Sequence, residues 1–181
     1  MKKSLITVAV SGAFDPIHVG HIRYIRDAAK LGDRLVVILN SDEFLMQKRG
    51  FVFWPFPERK EIIENIKGVD EVIAAIDKDQ TVRKTLELLK PNIFAKGGNR
   101  HIGAHIPEAE VCERIGCKLV TNVGGSTVRP ESELADKVKE LGMEHAHGIK
   151  ILCPYCDDHP MLRVKCLYCS GTGKIEVGRA E

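Results

Sequence analysis

Between Leu5 and Leu141 this chain alternates short apolar, β-favouring runs with stretches of helical periodicity, so that no two predicted strands follow one another without a helix between them. That order constrains the fold more than any other feature. Strands separated by helices form βαβ units, and such units build a parallel sheet with helices on both faces. The run Arg34–Asn40 (RLVVILN) is apolar throughout, as a strand covered on both sides must be. The predicted strands are Leu5–Val10, Arg34–Asn40, Val69–Ile76, Asn92–Lys96 and Lys118–Val123. The helix from Gly20 to Leu31 is closed by Gly32, and a short helix starts at Ser41-Asp42-Glu43 with Phe44 and Leu45 as its apolar face. Pro57-Glu58 opens a further helix with Ile62, Ile63 and Ile66 on the buried side. A helix carrying Val82, Leu86, Leu88 and Leu89 is stopped by Pro91, and Pro107–Ile115 and Glu131–Leu141 supply the last two. The expectation is an α/β, Rossmann-like, doubly wound five-stranded parallel sheet over residues 1–142.

The first strand leads into Ser11-Gly12-Ala13-Phe14-Asp15-Pro16-Ile17-His18-Val19-Gly20-His21. Gly12 allows a sharp turn and close ligand approach, and Pro16 stiffens it. His18 and His21, spaced i,i+3 at a helix mouth, share a face and can both donate to phosphate oxygens, while Gly20 leaves room for a nucleotide. In the bland reading Asp15 only caps the turn, and Lys48, Arg49 and Arg59 are solvated surface charges. Trp54 either lines an acceptor pocket or covers the core edge. Cys112 and Cys117 read as buried thiols.

Gly-Ala-Phe-Asp followed by His-Val-Gly-His resembles the nucleotidyltransferase superfamily with the HxGH signature, in its cytidylyltransferase-like branch. Further stretches match in order: Leu39–Phe44, Glu58-Arg59-Lys60, Val69-Asp70-Glu71-Val72, Lys96-Gly97-Gly98-Asn99 and Gly125-Ser126-Thr127. Two relatives it is similar to are heptose-phosphate adenylyltransferase and glycerol-phosphate cytidylyltransferase. The resemblance implies transfer of a nucleotidyl group from a nucleoside triphosphate, with magnesium, to a phosphorylated small molecule such as a sugar phosphate, releasing pyrophosphate. It implies catalytic roles for His18, His21 and Lys48, and nucleotide contacts at Gly12, Ala13, Phe14, Asp15, Gly20, Lys96, Gly97, Gly98, Asn99, Ser126 and Thr127. The K-G-G loop favours adenylyl transfer. Asn99 stands where the family carries aspartate, and Asn122–Thr127 lacks the arginine of the cytidylyl-transferring relatives, so the base stays open. The rival reading is a non-catalytic nucleotide- or RNA-binding module whose tail docks a partner.

Of the six cysteines, four crowd the end of the chain. Cys153-Pro154-Tyr155-Cys156 and Cys166-Leu167-Tyr168-Cys169 are C-x-x-C knuckles nine residues apart, followed by Gly171 and Gly173. Four soft ligands at that spacing suit one structural zinc, with His159 as an alternate ligand. Residues 151–181 are therefore read as a zinc-knuckle module joined by a linker over 143–150. From Gly148 onward five basic residues face four acidic ones, a difference of +1 and a poor footprint for nucleic acid, although that partner and a homo-oligomer both stay open. The formal charge of +2 demands no polyanion, no apolar run reaches the roughly 18 residues of a membrane helix, and cytoplasm is the expected compartment.

Overall fold

The structure is a computed structural model that describes residues 5–97 and 106–125, together with the backbone of 149–152 and 174–177. Five strands, β1 (Thr7–Gly12), β2 (Arg34–Leu39), β3 (Glu71–Ala74), β4 (Ile93–Gly97) and β5 (Lys118–Val123), form one sheet in the order β3-β2-β1-β4-β5. All four pairings are parallel. The described helices are α1 (Val19–Ala29), α2 (Asp42–Arg49), α3 (Phe56–Glu64), α4 (Arg83–Leu89) and α5 (Ala109–Ile115).

Side-chain alternation along the strands divides the core in two. Val8 and Val10 of β1, Leu35, Val37 and Leu39 of β2, and Ala95 of β4 pack on one face with Tyr24, Ile25 and Ala28 of α1 and Ile63 of α3. Ala9, Ile38 and Phe94 face the other way, against Leu86 of α4 and Val111 and Cys112 of α5. β2 is buried from Leu35 to Leu39, as its unbroken apolar run requires. Its central position and that of β1 leave the carboxyl ends of β1 and β4 adjacent, on either side of the point where the winding reverses.

Several boundaries differ from those expected. β1 starts at Thr7 and runs on to Gly12, because Ser11 and Gly12 still pair with Ile38 and Leu39, while Leu5 and Ile6 are exposed. β3 is confined to Glu71–Ala74, within the longer run expected. α1 ends at Ala29, and Gly32 has a different task from closing it: a Cβ there would meet the Ile6 carbonyl at 2.6 Å. α3 begins at Phe56, whose N–H donates to Asp42 Oδ2 at 3.1 Å, rather than at Pro57. Its buried face is Arg59 and Ile63, an i,i+4 pair, so Ile62 turns outward. Leu88 is likewise exposed, lying about 200° around α4 from the buried Leu86. α5 starts at Ala109, after a turn closed by Ala109 N–H on the Ile106 carbonyl.

The expected helix Glu131–Leu141 lies outside the described residues, as do the four knuckle cysteines. On either side of those cysteines, β6 (Ile149–Leu152) pairs antiparallel with β7 (Lys174–Val177), Leu152 opposite Lys174. β6 thus begins inside the stretch read as linker.

Candidate active site

The turn after β1 is built from buried residues. Ala13, Phe14 and Asp15 are all buried, and Phe14 carries the left-handed backbone of the turn at φ 51°. Gly12 therefore does not supply the bend. Its missing Cβ makes room for the Phe14 ring, whose atoms would lie 3.0 Å from one. That ring meets His21 edge-on, with centroids 5.1 Å apart. The peptide bond between Asp15 and Pro16 is cis.

His18 is the N-cap of α1, and its Nδ1 accepts from the Gly20 N–H at 3.0 Å. Reciprocally, the His18 N–H donates to His21 Nδ1 at 3.3 Å. This is a capping box written with two imidazoles. The rings stack at 3.8 Å between centroids and 24° between planes. Because both Nδ1 atoms accept, the proton of each neutral ring sits on Nε2, which makes both Nε2 atoms donors. The helix mouth is less open than its sequence implied. Gly20 N–H is held by the His18 ring and His21 N–H by the His18 carbonyl at 2.9 Å. An anion at this turn is met by imidazole N–H groups more than by those two amides.

Asp15 faces inward from the same turn. Its Oδ2 accepts from the Phe53 N–H at 2.9 Å and its Oδ1 from the Trp54 N–H at 2.8 Å. Oδ2 is also ion-paired with Arg49, whose Nη1 donates to the Asp15 carbonyl at 2.6 Å and whose Nε donates to the Phe51 carbonyl at 3.0 Å. The guanidinium lies against the Phe51 and Phe53 rings, 4.7 and 5.1 Å from their centroids. Asp15 thus does more than cap the turn: it fastens the stretch 51–54 to it.

Arg59 completes the frame from α3. It is 1% exposed, and its Nη1 donates to the carbonyls of Ala13 at 2.6 Å and Asn40 at 2.9 Å, the first residues beyond β1 and β2. Its Nε donates to the Trp54 carbonyl at 2.8 Å and its Nη2 to Asp42 Oδ1 at 2.5 Å. A surface reading of Arg49 and Arg59 is therefore wrong; both are interior fasteners. The Glu58-Arg59-Lys60 match was the signal available for Arg59, since position alone could not reveal which carbonyls it would meet.

Lys48 lies in the last turn of α2, exposed, with Nζ 5.8 Å from the Phe44 ring centroid. Lys96 points to the α5 side of the sheet, its Nζ 3.2 Å from the buried Glu108 Oε2, outside hydrogen-bond geometry. Gly97 lies under α1: a Cβ there would meet the Tyr24 ring at 3.0 Å, and one on Gly124, at φ 89°, would meet Tyr24 Cα at 2.7 Å. Tyr24, which sequence reading passed over, is pinned by its hydroxyl, a donor to the Ala95 carbonyl at 2.6 Å. Gly98, Asn99, Ser126 and Thr127 lie outside the described residues. Cys112 and Cys117 are buried and free; burial raises both thiols, Cys117 to about 12.

The family described as cytidylyltransferase-like matches residues 9–123, from β1 to the last residue of β5. A FAD synthase from Archaeoglobus profundus is 34% identical over 135 residues, covering 75% of this chain and 83% of that one. A FAD synthase from Ferroglobus placidus is 37% identical over 94 residues, 52% of this chain and 60% of that one. The bifunctional protein HldE from Hahella chejuensis is 40% identical over 94 residues, 51% of this chain and 19% of that one. Among solved structures, a lipopolysaccharide core biosynthesis protein from Thermoplasma volcanium superposes with a TM-score of 0.54 at 30% identity, over 66% of this chain and 97% of that one. With a match that takes in every strand of the sheet and the whole histidine turn, the chain belongs to the cytidylyltransferase-like family of nucleotidyltransferases.

Proposed function

We propose that the chain transfers a nucleotidyl group, adenylyl in preference to cytidylyl, from a nucleoside triphosphate to the phosphate of a small acceptor. The observation that carries this reading is the pair of stacked imidazoles at the mouth of α1, both presenting Nε2–H. An oxygen of the acceptor phosphate attacks the α-phosphorus in line. A new P–O–P bond forms, the bond from the α-phosphorus to the bridging oxygen breaks, and pyrophosphate leaves with the electron pair. No protein nucleophile is required, so the work of the site is positioning and charge neutralisation. His18 and His21 donate to the phosphate oxygens on which negative charge grows, and Lys48 reaches the leaving phosphates from α2. Gly12, Ala13, Phe14 and Gly20 shape the floor under the triphosphate, and Lys96, Gly97, Gly98, Asn99, Ser126 and Thr127 are the further nucleotide contacts in this reading. Magnesium fits as an ion carried by the triphosphate, because donors at Nε2 suit phosphate oxygens rather than a metal. The relatives' name FAD synthase supports the adenylyl preference, since that product contains an adenylyl group joined to a phosphorylated acceptor.

For the tail, the proposal is one structural zinc on Cys153, Cys156, Cys166 and Cys169. The support is the double C-x-x-C spacing, together with the β6–β7 ladder that joins the two ends of the segment carrying it.

The deciding experiment for the activity is a pyrophosphate-release screen of each triphosphate against a panel of phosphorylated acceptors with magnesium. Release is expected with ATP. No release with any pair, together with unchanged nucleotide affinity in His21→Ala, would overturn it.

A further inference from the structure

Trp54 is the only tryptophan of the chain and has an unusual combination of properties. Its backbone is held at both ends, the N–H by Asp15 and the carbonyl by Arg59. The residue before it is held as well, Phe53 N–H donating to the same carboxylate. The anchors are buried, with Asp15 at 0% exposure and Arg49 at 10% for its side chain. Yet Trp54, whose backbone this frame fastens, stands 46% exposed. A large apolar side chain on a mobile loop tells little, whereas one kept half in water by a rigid, buried ionic frame has been denied the burial it would otherwise find. The frame is rooted in the histidine turn, so the backbone from which the indole projects is tied to the turn that carries His18 and His21.

We propose that Trp54 is the acceptor-recognition residue, its indole giving a stacking face to a planar aromatic ring on the phosphorylated acceptor, and that Asp15 and Arg49 are positioning residues that set that face. The proposal rests on the nucleotidyl-transfer reading and narrows its acceptor class. A planar ring gains most from such a face, since offset stacking uses the whole π surface. Arg49, lying against the Phe51 and Phe53 rings, keeps the stretch leading to Trp54 from folding away.

The test uses the full chain and flavin mononucleotide as the probe, because it joins a planar ring to a phosphate and reports its own stacking. Flavin fluorescence should be quenched saturably by the protein and not by Trp54→Leu. In pyrophosphate-release assays with ATP, Trp54→Leu should raise the acceptor KM about five- to a hundredfold while kcat and the ATP KM stay within about twofold. Trp54→Phe should restore most of the loss. Arg49→Gln and Asp15→Asn should raise the acceptor KM in the same direction with Trp54 intact. Folding of each is checked by circular dichroism, and Arg49→Gln alone decides the positioning role if Asp15→Asn does not fold. Quenching that is absent, or that survives in Trp54→Leu, overturns the proposal. So does turnover of a non-planar polyol phosphate with a KM indifferent to Trp54. Trp54-dependent quenching without any pyrophosphate release would keep the recognition and sink the transfer reading; release indifferent to Trp54 would do the reverse.

Discussion

At the scale of single residues, Arg49 and Arg59, one largely covered and one buried, separate what sequence pattern can and cannot say. Arg49 and Arg59 look like any surface cations in a chain with 27 basic residues. What makes them interior is the set of carbonyls and carboxylates that the fold delivers to them, from Ala13, Asn40, Trp54, Asp15 and Asp42. Replacing Arg59 by Met takes the guanidinium away from the carbonyls of Ala13, Asn40 and Trp54 and from Asp42 Oδ1, and should destabilise the fold by about 3–5 kcal/mol in urea melts. A loss under about 1 kcal/mol would show the frame to be dispensable. The histidine turn, in contrast, was legible as a unit, because glycine, proline and two histidines at fixed spacing carry their own local geometry. The role of Gly12 was not, since only the structure shows Phe14 turning back over it. The thiols give a second prediction. With Cys117 pushed up to about 12 by burial and by its neighbour Cys112, only about one molecule in ten thousand holds the thiolate at pH 8. Peptide mapping after alkylation at that pH should find Cys112 and Cys117 unmodified until denaturant is added, and rapid labelling in the folded protein would contradict their burial.

At the scale of elements, α1 combines two duties that substitution can separate. His18 is both a phosphate donor in the proposed mechanism and the cap that fixes the start of the helix. His18→Ala should therefore cost about 1 kcal/mol of stability in addition to about a hundred- to a thousandfold in kcat. His18→Asn should keep the cap and lose the same rate. Equal loss of binding and turnover in both would count against a transition-state role. The start of α4 offers a pH test. The Thr81 hydroxyl and the Arg83 guanidinium lower the Asp79 carboxyl to about 2. Since the folded value lies below the ordinary one of 3.8, the bracing is whole above pH 4 or so and is lost as the pH falls toward 2. Asp79 is exposed, so the effect is local, and carboxyl chemical shifts against pH should report it without global unfolding. The elements themselves were readable wherever periodicity was strong. Their ends were not, because β1 ends where β2 stops pairing and α3 starts where Asp42 offers an acceptor, both decisions made by residues distant in the chain.

For the whole molecule, the parallel pairing follows from the alternation of strands and helices, and the reversal of winding between β1 and β4 puts the histidine turn at the carboxyl ends of those two strands. No helix among the described residues is long and apolar enough to cross a membrane. The proposed zinc should be confined in its effect to the tail, because the five-stranded body has its own two-sided core. Chelation should remove about one metal per chain and alter only the circular-dichroism signal of a short segment. Metal content near zero in protein prepared with zinc and reductant would sink the site, and collapse of the entire chain on chelation would sink its independence. The frame around Trp54 carries a last consequence, for hydrogen exchange. Residues 51–55 belong to no helix or strand, and such a connection normally exchanges its amide protons freely. Here the amides of Phe53 and Trp54 donate into a carboxylate with no exposure of its own, and freeing them means pulling Asp15 away from Arg49. Those two protons should exchange as slowly as those in the middle of β1, so that an irregular stretch opens only when the sheet beneath it does.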